Sequence, residues 1–560
     1  MFRLSLPFSA VIASLLLILF VPACGESSGP STDSETHWMQ TCQTDADCQG
    51  ASSCLCNFCT TECGECGDVD ADAVCLPAPS ACELGSAPIC VDECTDGADC
   101  GDGFSCREGA CIPEQLATYD GPYCGDSAWH CSELDEGPLL STDRRNFEVA
   151  VLDDRRVLII GGTTTDDDDA SFEDAGVASA EIFDPITNMV RPAGELSTRR
   201  DGSLIQAGDG SVLFFGGRDF DDDQQPLLTS VEHFDPDTES WTLLDTPLSA
   251  HSMTAVKSTD GHILFAGGRV DEENVSFVDF YDANDKTLTA VAPTERAYRS
   301  VELTALADGR ILLLATDNDT VEPDENDHTE VGRIDGELYD PTSDTWTTID
   351  PLQLNTWVGQ TVAEPLASGA ILVLFSHREL GDEITTPINA TSWAWLNQIT
   401  AVTYDPVTDE WTELHTFETS GGGLQPDITA LSGAGSYLVS LYGDVHDSTF
   451  GYLFDADEQQ FDHLFDRRPV PGHVREVLPD GRILFGSPAP RFDWLAPAQH
   501  PQIYDIETDQ WSDLAAVPLG LDYRGVTLLS DCRLLLADPF VRSGVLTDES
   551  APTVAYCTPE

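Results

Sequence analysis

Short apolar runs recur along the last three quarters of this chain, each entered through a turn. Val212–Phe215 follows Asp209-Gly210-Ser211 and precedes Gly216-Gly217. A run that is apolar at every position suits a strand covered on both faces, because successive side chains point to opposite sides of a sheet. Comparable runs are Val157–Ile160, Ile263–Ala266, Ile311–Leu314, Ile371–Leu374, Leu438–Leu441, Ile483–Gly486 and Leu534–Ala537, eight in all at intervals of roughly 45–65 residues. Between them a second signal repeats: an aromatic residue, a turn and a large residue, as in Phe234-Asp235-Pro236-Asp237-Thr238 to Trp241. Pro fixes φ and the Asp and Thr side chains bond nearby amides, so the segment reads as a tight connection between two strands. Further copies begin at Phe183, Tyr281, Tyr339, Tyr404, Phe454 and Tyr504, making seven. Two signals alternating in this way mark a repeat array whose units bury their faces against one another. A single core for all 560 residues is already excluded by length.

Gly-Gly after an apolar strand, then Tyr/Phe-Asp-Pro, then Trp resembles the kelch repeat, and the match covers about 430 residues. The resemblance implies an all-β fold: a kelch-type β-propeller of four-stranded blades, similar to the central domain of galactose oxidase. Eight blades are expected, seven being the alternative count. Gly-Gly stands only in the first three repeats, at Gly161-Gly162, Gly216-Gly217 and Gly267-Gly268, and Met189/Val190 and Leu288 occupy positions where Trp is expected. After Leu534–Ala537 only one more strand, Thr553–Tyr556, precedes the end of the sequence, whereas Trp129–Leu134 followed by Pro138 matches Trp241 through Pro247 without a blade of its own. Residues 129–134 are therefore expected to complete the last blade, closing the ring by strand exchange between N- and C-terminal segments. Closure removes sheet edges that would otherwise pair with other chains.

Upstream, Arg3, an apolar run from Val11 to Val21 and Pro22-Ala23 before Cys24 read as a signal peptide, too short to span the bilayer as a helix. The ending resembles a bacterial lipobox, which makes Cys24 the lipidated residue. Residues 1–23 are then the signal, 24–40 a flexible tether, 41–115 a disulfide-rich region and 124–560 the propeller. A plain cleavage site is the competing reading. The resemblance places the protein in the cell envelope of a Gram-negative bacterium, and Gly25 in place of Asp favours the outer membrane over the inner.

Of 19 cysteines, removal of Cys24 leaves an even number: fourteen between Cys42 and Cys111, then Cys124, Cys131, Cys532 and Cys557. That parity fits a disulfide framework in an exported protein. The spacing C-x5-C-x5-C occurs at Cys42/Cys48/Cys54 and again at Cys94/Cys100/Cys106, which continues to Cys111. Cys54, Cys56, Cys59, Cys63 and Cys66 also offer two C-x2-C pairs, for which zinc is the alternative. The last four cysteines converge on the expected ring closure, with three pairings open.

The balance of 26 Lys+Arg against 99 Asp+Glu, a formal charge of −73, excludes nucleic acid as a partner, since phosphate binding needs cationic surface. In the kelch architecture the starts of the first strands gather at one channel mouth. They carry Arg145, Arg200, His251, Arg299, His473 and Arg524, with Trp357, Gln360 and Gln425 nearby. Converging cations there would hold a carboxylate or sulfate; structural pairing with acids of neighbouring blades is the competing reading. Acidic loops at Asp166–Asp169, Asp219–Asp223 and Asp317–Asp327 suit Ca²⁺ in composition, but none has an ordered calcium-loop spacing, and solvated loops are the plainer reading. Two insertions hold Trp393 and Trp395, and Phe492 and Trp494, candidates for stacking on a sugar or anchoring a protein. A copper site of the galactose-oxidase kind needs a cysteine near the channel, and propeller cysteines occur only at the ring closure. No nucleophile elbow, zinc-protease helix or phosphate loop occurs. The expectation is a monomeric, lipid-anchored protein that binds an envelope or extracellular protein or glycan without catalysis or cofactor. The alternative is an exported hydrolase, lyase or epimerase acting on carbohydrate at the channel mouth.

Overall fold

The computed structural model describes residues 147–514 apart from 163–175, 186–188, 223, 320–330, 355, 386–390, 419–423, 432–434, 444–448, 469–473, 479–480 and 487–500; it also describes 134–136, 140–142, 144, 521–528, 534–541 and 554–557, and in the cysteine-rich segment 53–55, 58–60, 73–76, 89–92, 94, 100, 104–107 and 110–113. All regular structure among these residues is strand. Seven successive antiparallel sheets follow chain order. Sheet I comprises Glu148–Val151, Val157–Ile160, Ser179–Asp184 and Met189–Glu195; sheet II comprises Ser203–Gln206, Val212–Phe215, Val231–Asp235 and Ser240–Leu243. Sheet III is Thr254–Lys257, Ile263–Ala266, Val278–Asp282 and Thr287–Ala290. Sheet IV is Glu302–Ala305, Ile311–Asp319, Val331–Asp340 and Thr345–Thr348, with Leu352–Leu354 added beside the third strand. Sheet V is Trp357–Pro365, Ile371–Thr385, Thr391–Asp405 and Glu410–Glu418; sheet VI is Leu424–Ala430, Ser436–Gly443, Thr449–Asp455 and Gln460–Arg468. Sheet VII is Val474–Val477, Ile483–Phe485, Gln502–Asp505 and Gln510–Asp513.

Sheet VIII breaks chain order. Leu521–Leu528, Leu534–Val541 and Val554–Cys557 are joined by Leu134–Glu136, with Leu134 opposite Cys557 and Glu136 opposite Ala555. Only Leu134 of the stretch 129–134 expected there takes part among the described residues, and the pairing runs on to Glu136.

Each apolar run is covered twice. Leu213 and Phe215 of sheet II pack with Ile263 and Phe265 of sheet III, while Val212 and Phe214 pack with Leu158 and Ile160 of sheet I. Leu264 meets Ile311, Leu312 meets Ile371, Leu372 meets Val439, and Leu438 meets Ile483 in the same alternating way. Val157 and Ile159 of sheet I share a cluster with Leu535 of sheet VIII. Burying each such side chain contributes about 1.5–3 kcal/mol, so the alternation that looks featureless in sequence binds each sheet to both neighbours. First strands also approach one another from I to II, II to III, III to IV, IV to V, V to VI and VII to VIII, and VIII returns to I. An all-β array of four-stranded antiparallel sheets stacked in this manner is compatible with a propeller.

The aromatic turns fasten the outer edges. Asp235 Oδ1 accepts the amides of Asp237 at 3.0 Å and Thr238 at 3.3 Å, and Asp340, Asp405 and Asp505 hold their turns alike. The turn ends in a left-handed residue, Asp344 or Asp409, whose carboxylate accepts the hydroxyl of Tyr339 or Tyr404 at 3.0 Å. The same carboxylates accept the amides of Ala292 and Asp350 in the preceding sheet's outer segment, at 2.9 and 3.2 Å. Trp346 and Trp411 then donate Nε1–H to the carbonyls of those two residues at 2.8 Å, as Trp241 does to Ala193 at 2.9 Å. The turns of sheets II, IV and V therefore join neighbouring sheets while they reverse the chain.

Among its described residues the cysteine-rich segment shows two disulfides, Cys94–Cys106 and Cys100–Cys111. Cys54 lies opposite Cys59 in one two-stranded hairpin and Cys75 opposite Cys90 in another.

Candidate functional site

At the end of sheets I to IV where the first strands begin, one buried carboxylate recurs on the third strand, opposite the third position of the apolar run. Glu181 faces Ile159, Glu232 faces Phe214, Asp279 faces Phe265 and Glu337 faces Leu313. A backbone amide ahead of the first strand donates to each: Ser141 at 2.7 Å, Ser197 at 2.9 Å, Ser249 at 2.6 Å and Glu295 at 2.8 Å. Three residues further on comes the second partner. Arg144 reaches Glu181 at 2.8 Å, Arg200 lies 3.3 Å from Glu232, and Tyr298 donates its hydroxyl to Glu337 at 2.9 Å. Arg144 and Arg200 are both 0 % exposed, and burial pulls both guanidinium pKa values down against the opposing pull of Glu181 and Glu232. Burial likewise holds Asp279 and Glu337 above the usual carboxylate range. Buried ions tied to partners in this way fix the approach of each first strand and leave no charge to offer a ligand.

Of the candidate channel-mouth residues, Arg200 is thus enclosed in its ion pair. His251 is half-buried, with Nδ1 3.2 Å from Ser252 Oγ and its backbone paired to Arg269. Arg299 is exposed, and its carbonyl accepts the Gly268 amide at 3.3 Å. Arg524 lies in the first strand of sheet VIII by its backbone. Arg145 and His473 lie outside the described residues, as do Cys24, Cys124, Cys131, Cys532 and Trp494. Cys557 pairs by backbone with Leu134 and Leu534. The repeat signal for the buried position was present in sequence: an acid three residues before each turn Asp, in Glu181-Ile182-Phe183-Asp184, Glu232-His233-Phe234-Asp235, Asp279-Phe280-Tyr281-Asp282 and Glu337-Leu338-Tyr339-Asp340. The structure sets Arg144 against Glu181 and Tyr298 against Glu337, a choice this signal does not make, because segments of unequal length separate acid and partner.

The acidic loop of sheet II is internally committed. Asp221 accepts Arg199 Nε at 2.6 Å and the Arg199 amide at 2.9 Å, which bring its pKa down to about 2, and Thr198 Oγ1 donates to both Asp219 and Asp221. The acids of the loops at 166–169 and 322–327 lie outside the described residues. Among the described residues the one group spaced to hold a metal is Cys94, Cys100 and Cys111, whose sulfurs are consumed in the two disulfides.

Sheet V differs from the rest. Its second and third strands run 15 residues each, well past the apolar run, and form a two-stranded ribbon up to Thr385 opposite Thr391. Trp393 stands opposite Glu383 and Trp395 opposite Leu380, with a register shift between the two pairs. Alternate residues share a face, so both tryptophans lie on one face of the ribbon, about 7 Å apart along the strand. Asn397 follows them in the same row, opposite Arg378.

Stacked four-stranded antiparallel sheets define the class at the level of architecture: an all-β repeat protein compatible with a propeller. No family model matches the chain, and no curated protein matches it.

Proposed function

We propose that this chain is a cell-envelope lipoprotein, anchored through Cys24 and a disulfide-rich stalk, whose eight-bladed kelch-type propeller binds a protein or glycan partner without catalysis. The ring reading is supported by the packing of sheet VIII on sheet I and by the fourth strand that Leu134–Glu136 lends to sheet VIII. The observation that carries the binding reading is the sheet V ribbon. Its second and third strands pair beyond the apolar run up to Thr385 and Thr391, and Trp393 and Trp395 stand at alternate positions of the third strand, tryptophan being among the residue types richest in binding energy. The buried Arg144–Glu181 and Arg200–Glu232 pairs support a structural role for the repeated arginine position, which moves the binding surface away from the channel mouth.

Anchoring and binding are tested together in a Gram-negative host carrying the full chain. Cys24→Ser is expected to abolish palmitate labelling and to release the protein from the membrane fraction. A photo-crosslinking residue at position 393 is expected to give a discrete adduct that the same residue at the exposed Val407 does not. Equal adduct patterns at both positions would remove the ribbon from the binding surface.

A further inference from the structure

We infer that the seam between sheets II and III is an acid-responsive joint, loosened when His233 takes up a proton. The residue just ahead of the turn aromatic is Ile182, Phe280, Leu338, Thr403, Leu453 or Ile503 in sheets I and III to VII, and His233 in sheet II. His233 is 5 % exposed, its ring centroid lies 6.3 Å from that of Tyr281 in sheet III, and its Nε2 has no hydrogen-bond partner. Tyr281 departs from its repeat as well. In sheets IV, V and VII the hydroxyls of Tyr339, Tyr404 and Tyr504 donate to the left-handed Asp344, Asp409 and Asp509 at 3.0, 3.0 and 3.2 Å. In sheet III that place belongs to Lys286, also left-handed, whose Nζ turns to Asp235 of sheet II at 3.2 Å. The fully buried Tyr281 hydroxyl is left without a bond of normal geometry, since nearby Ser211 spends its own hydroxyl on Asp209 at 2.6 Å. Buried polar atoms are ordinarily paired, so two orphans facing one seam mark a departure from the repeat that packing alone does not need.

The groups that bear on His233 come from both sheets. Asp235 stands two residues along its own strand, Asp209 lies in the turn before Val212–Phe215, and Lys286 and Tyr281 belong to sheet III. The cross-strand partners Leu213 and Thr242 carry no charge, and the adjacent Glu232 points to the other face, where Arg200 holds it. Burial holds the imidazole below its ordinary value of 6.5, Lys286 adds to this, and Asp209, Asp235 and a bond to the residue's own backbone oppose it. Burial pushes the Tyr281 phenol up to about 12, so it stays neutral across the range that matters. An added proton sits on Nε2, where no acceptor meets it and where the Lys286 charge repels it. Burying an unpaired cation costs far more than burying the neutral ring. Because the folded value lies below the unfolded one, this contribution to stability is complete above about pH 6.5 and is lost as pH falls through the folded value. The loss falls on the seam itself, where Tyr281 packs in one cluster with Leu213 and Phe215 of sheet II.

The test compares amide hydrogen exchange of the full-length protein in detergent micelles at about pH 7.5 and about pH 5, corrected for the intrinsic pH dependence of exchange. Protection of Val231–Asp235 and Val278–Asp282 is expected to fall about tenfold at the lower pH, while Thr345–Thr348 and Glu410–Glu418 of sheets IV and V keep theirs. Linkage sets a ceiling of about thirtyfold at pH 5 for a group with an unfolded value near 6.5. His233→Leu, the residue that sheets IV and VI carry at this place, should abolish the step. Lys286→Asp should shrink it, because the repelling charge is gone and Tyr281 regains the acceptor its counterparts have. In the unaltered protein, exchange of the imidazole C2 proton, read by peptide mass spectrometry, gives the His233 pKa without any variant having to fold, and a value below 6.5 is expected. Equal protection at the two pH values, an equal loss in sheets IV and V, or a His233 pKa at or above 6.5 overturns the inference. So does a step that survives in His233→Leu or keeps its full size in Lys286→Asp.

Discussion

Sheets I to III and sheet V contain the same four strands, yet one set ends its second strand after four residues and the other continues for fifteen. The difference begins at two glycines. Gly216 and Gly217 have φ of 66° and 84°, and a Cβ on Gly217 would lie 1.1 Å from the Asp201 carbonyl oxygen. Only glycine turns the chain there and admits the first strand so closely. In sheet V, Phe375 and Ser376 occupy the corresponding positions, keep extended backbone, and let both strands run out into a ribbon. The buried carboxylate is also gone: Glu232 in sheet II becomes Val402 in sheet V, opposite Val373 and itself buried, whereas sheet IV, which likewise lacks Gly-Gly, keeps Glu337. The regular sheets commit a buried carboxylate to internal pairing, and sheet V puts an apolar residue in its place.

Removing one partner from the regular sheets should have the largest effect. Glu232→Ala leaves Arg200 buried without its counter-charge and is expected to lower stability by about 3–5 kcal/mol in urea unfolding. Arg200→Met combined with Glu232→Leu should recover most of that loss, as sheet V already does without an ion pair. A double variant as unstable as the single one would break the comparison.

A smaller effect concerns Glu302 on the first strand of sheet IV. Burial, reinforced by Glu364 and opposed by the Ala363 amide, pushes its pKa up to about 7, and burial also raises Glu364. A carboxyl whose folded value lies above its unfolded value near 4.5 is fully favourable to the fold below that value, and this contribution is lost as pH rises through about 7. Glu302→Gln is therefore expected to raise stability at pH above about 7 by on the order of 2 kcal/mol, with the gain vanishing toward pH 4. A gain independent of pH would assign the effect to packing instead.

Most of this architecture was legible in the residues. Eight apolar runs and seven aromatic turns mark the strands because both faces of each sheet are covered and each turn has its own side-chain bonds. Loss of Gly-Gly after the third repeat was equally visible, but its consequence was not, since sequence spacing does not tell whether the added residues fold as a loop or extend two paired strands. Which of two adjacent residues meets the buried carboxylate was not legible for a related reason. Arg144-Arg145 and Tyr298-Arg299 each offer two candidates, and only the distance to Glu181 or Glu337 separates the buried member from its neighbour.

Outer fastenings should matter less than inner ions. Trp411→Phe keeps the ring beside Tyr404 but deletes the Nε1–H bond to Asp350, and a loss of about 1 kcal/mol is expected in thermal or urea unfolding. The ribbon should matter least to stability: Trp393→Ala is expected to stay within about 0.5 kcal/mol of the unaltered chain in urea unfolding. A large loss of stability in that variant would mean that the ribbon is part of the core and would erase the contrast between the two kinds of sheet.

Amide hydrogen exchange at Val554–Cys557, compared between the full chain and Asp135→Pro, tests the closed ring most directly. Proline at position 135 removes an amide from the strand opposite Tyr556 and disfavours the pairing. The account predicts slow exchange within Val554–Cys557 in the unaltered protein and markedly faster exchange in the variant, spreading into Val157–Ile160 of sheet I through its contact with Leu535. Identical protection in the two proteins would show that the last sheet needs no strand from residues 134–136, and the ring would not be closed as proposed.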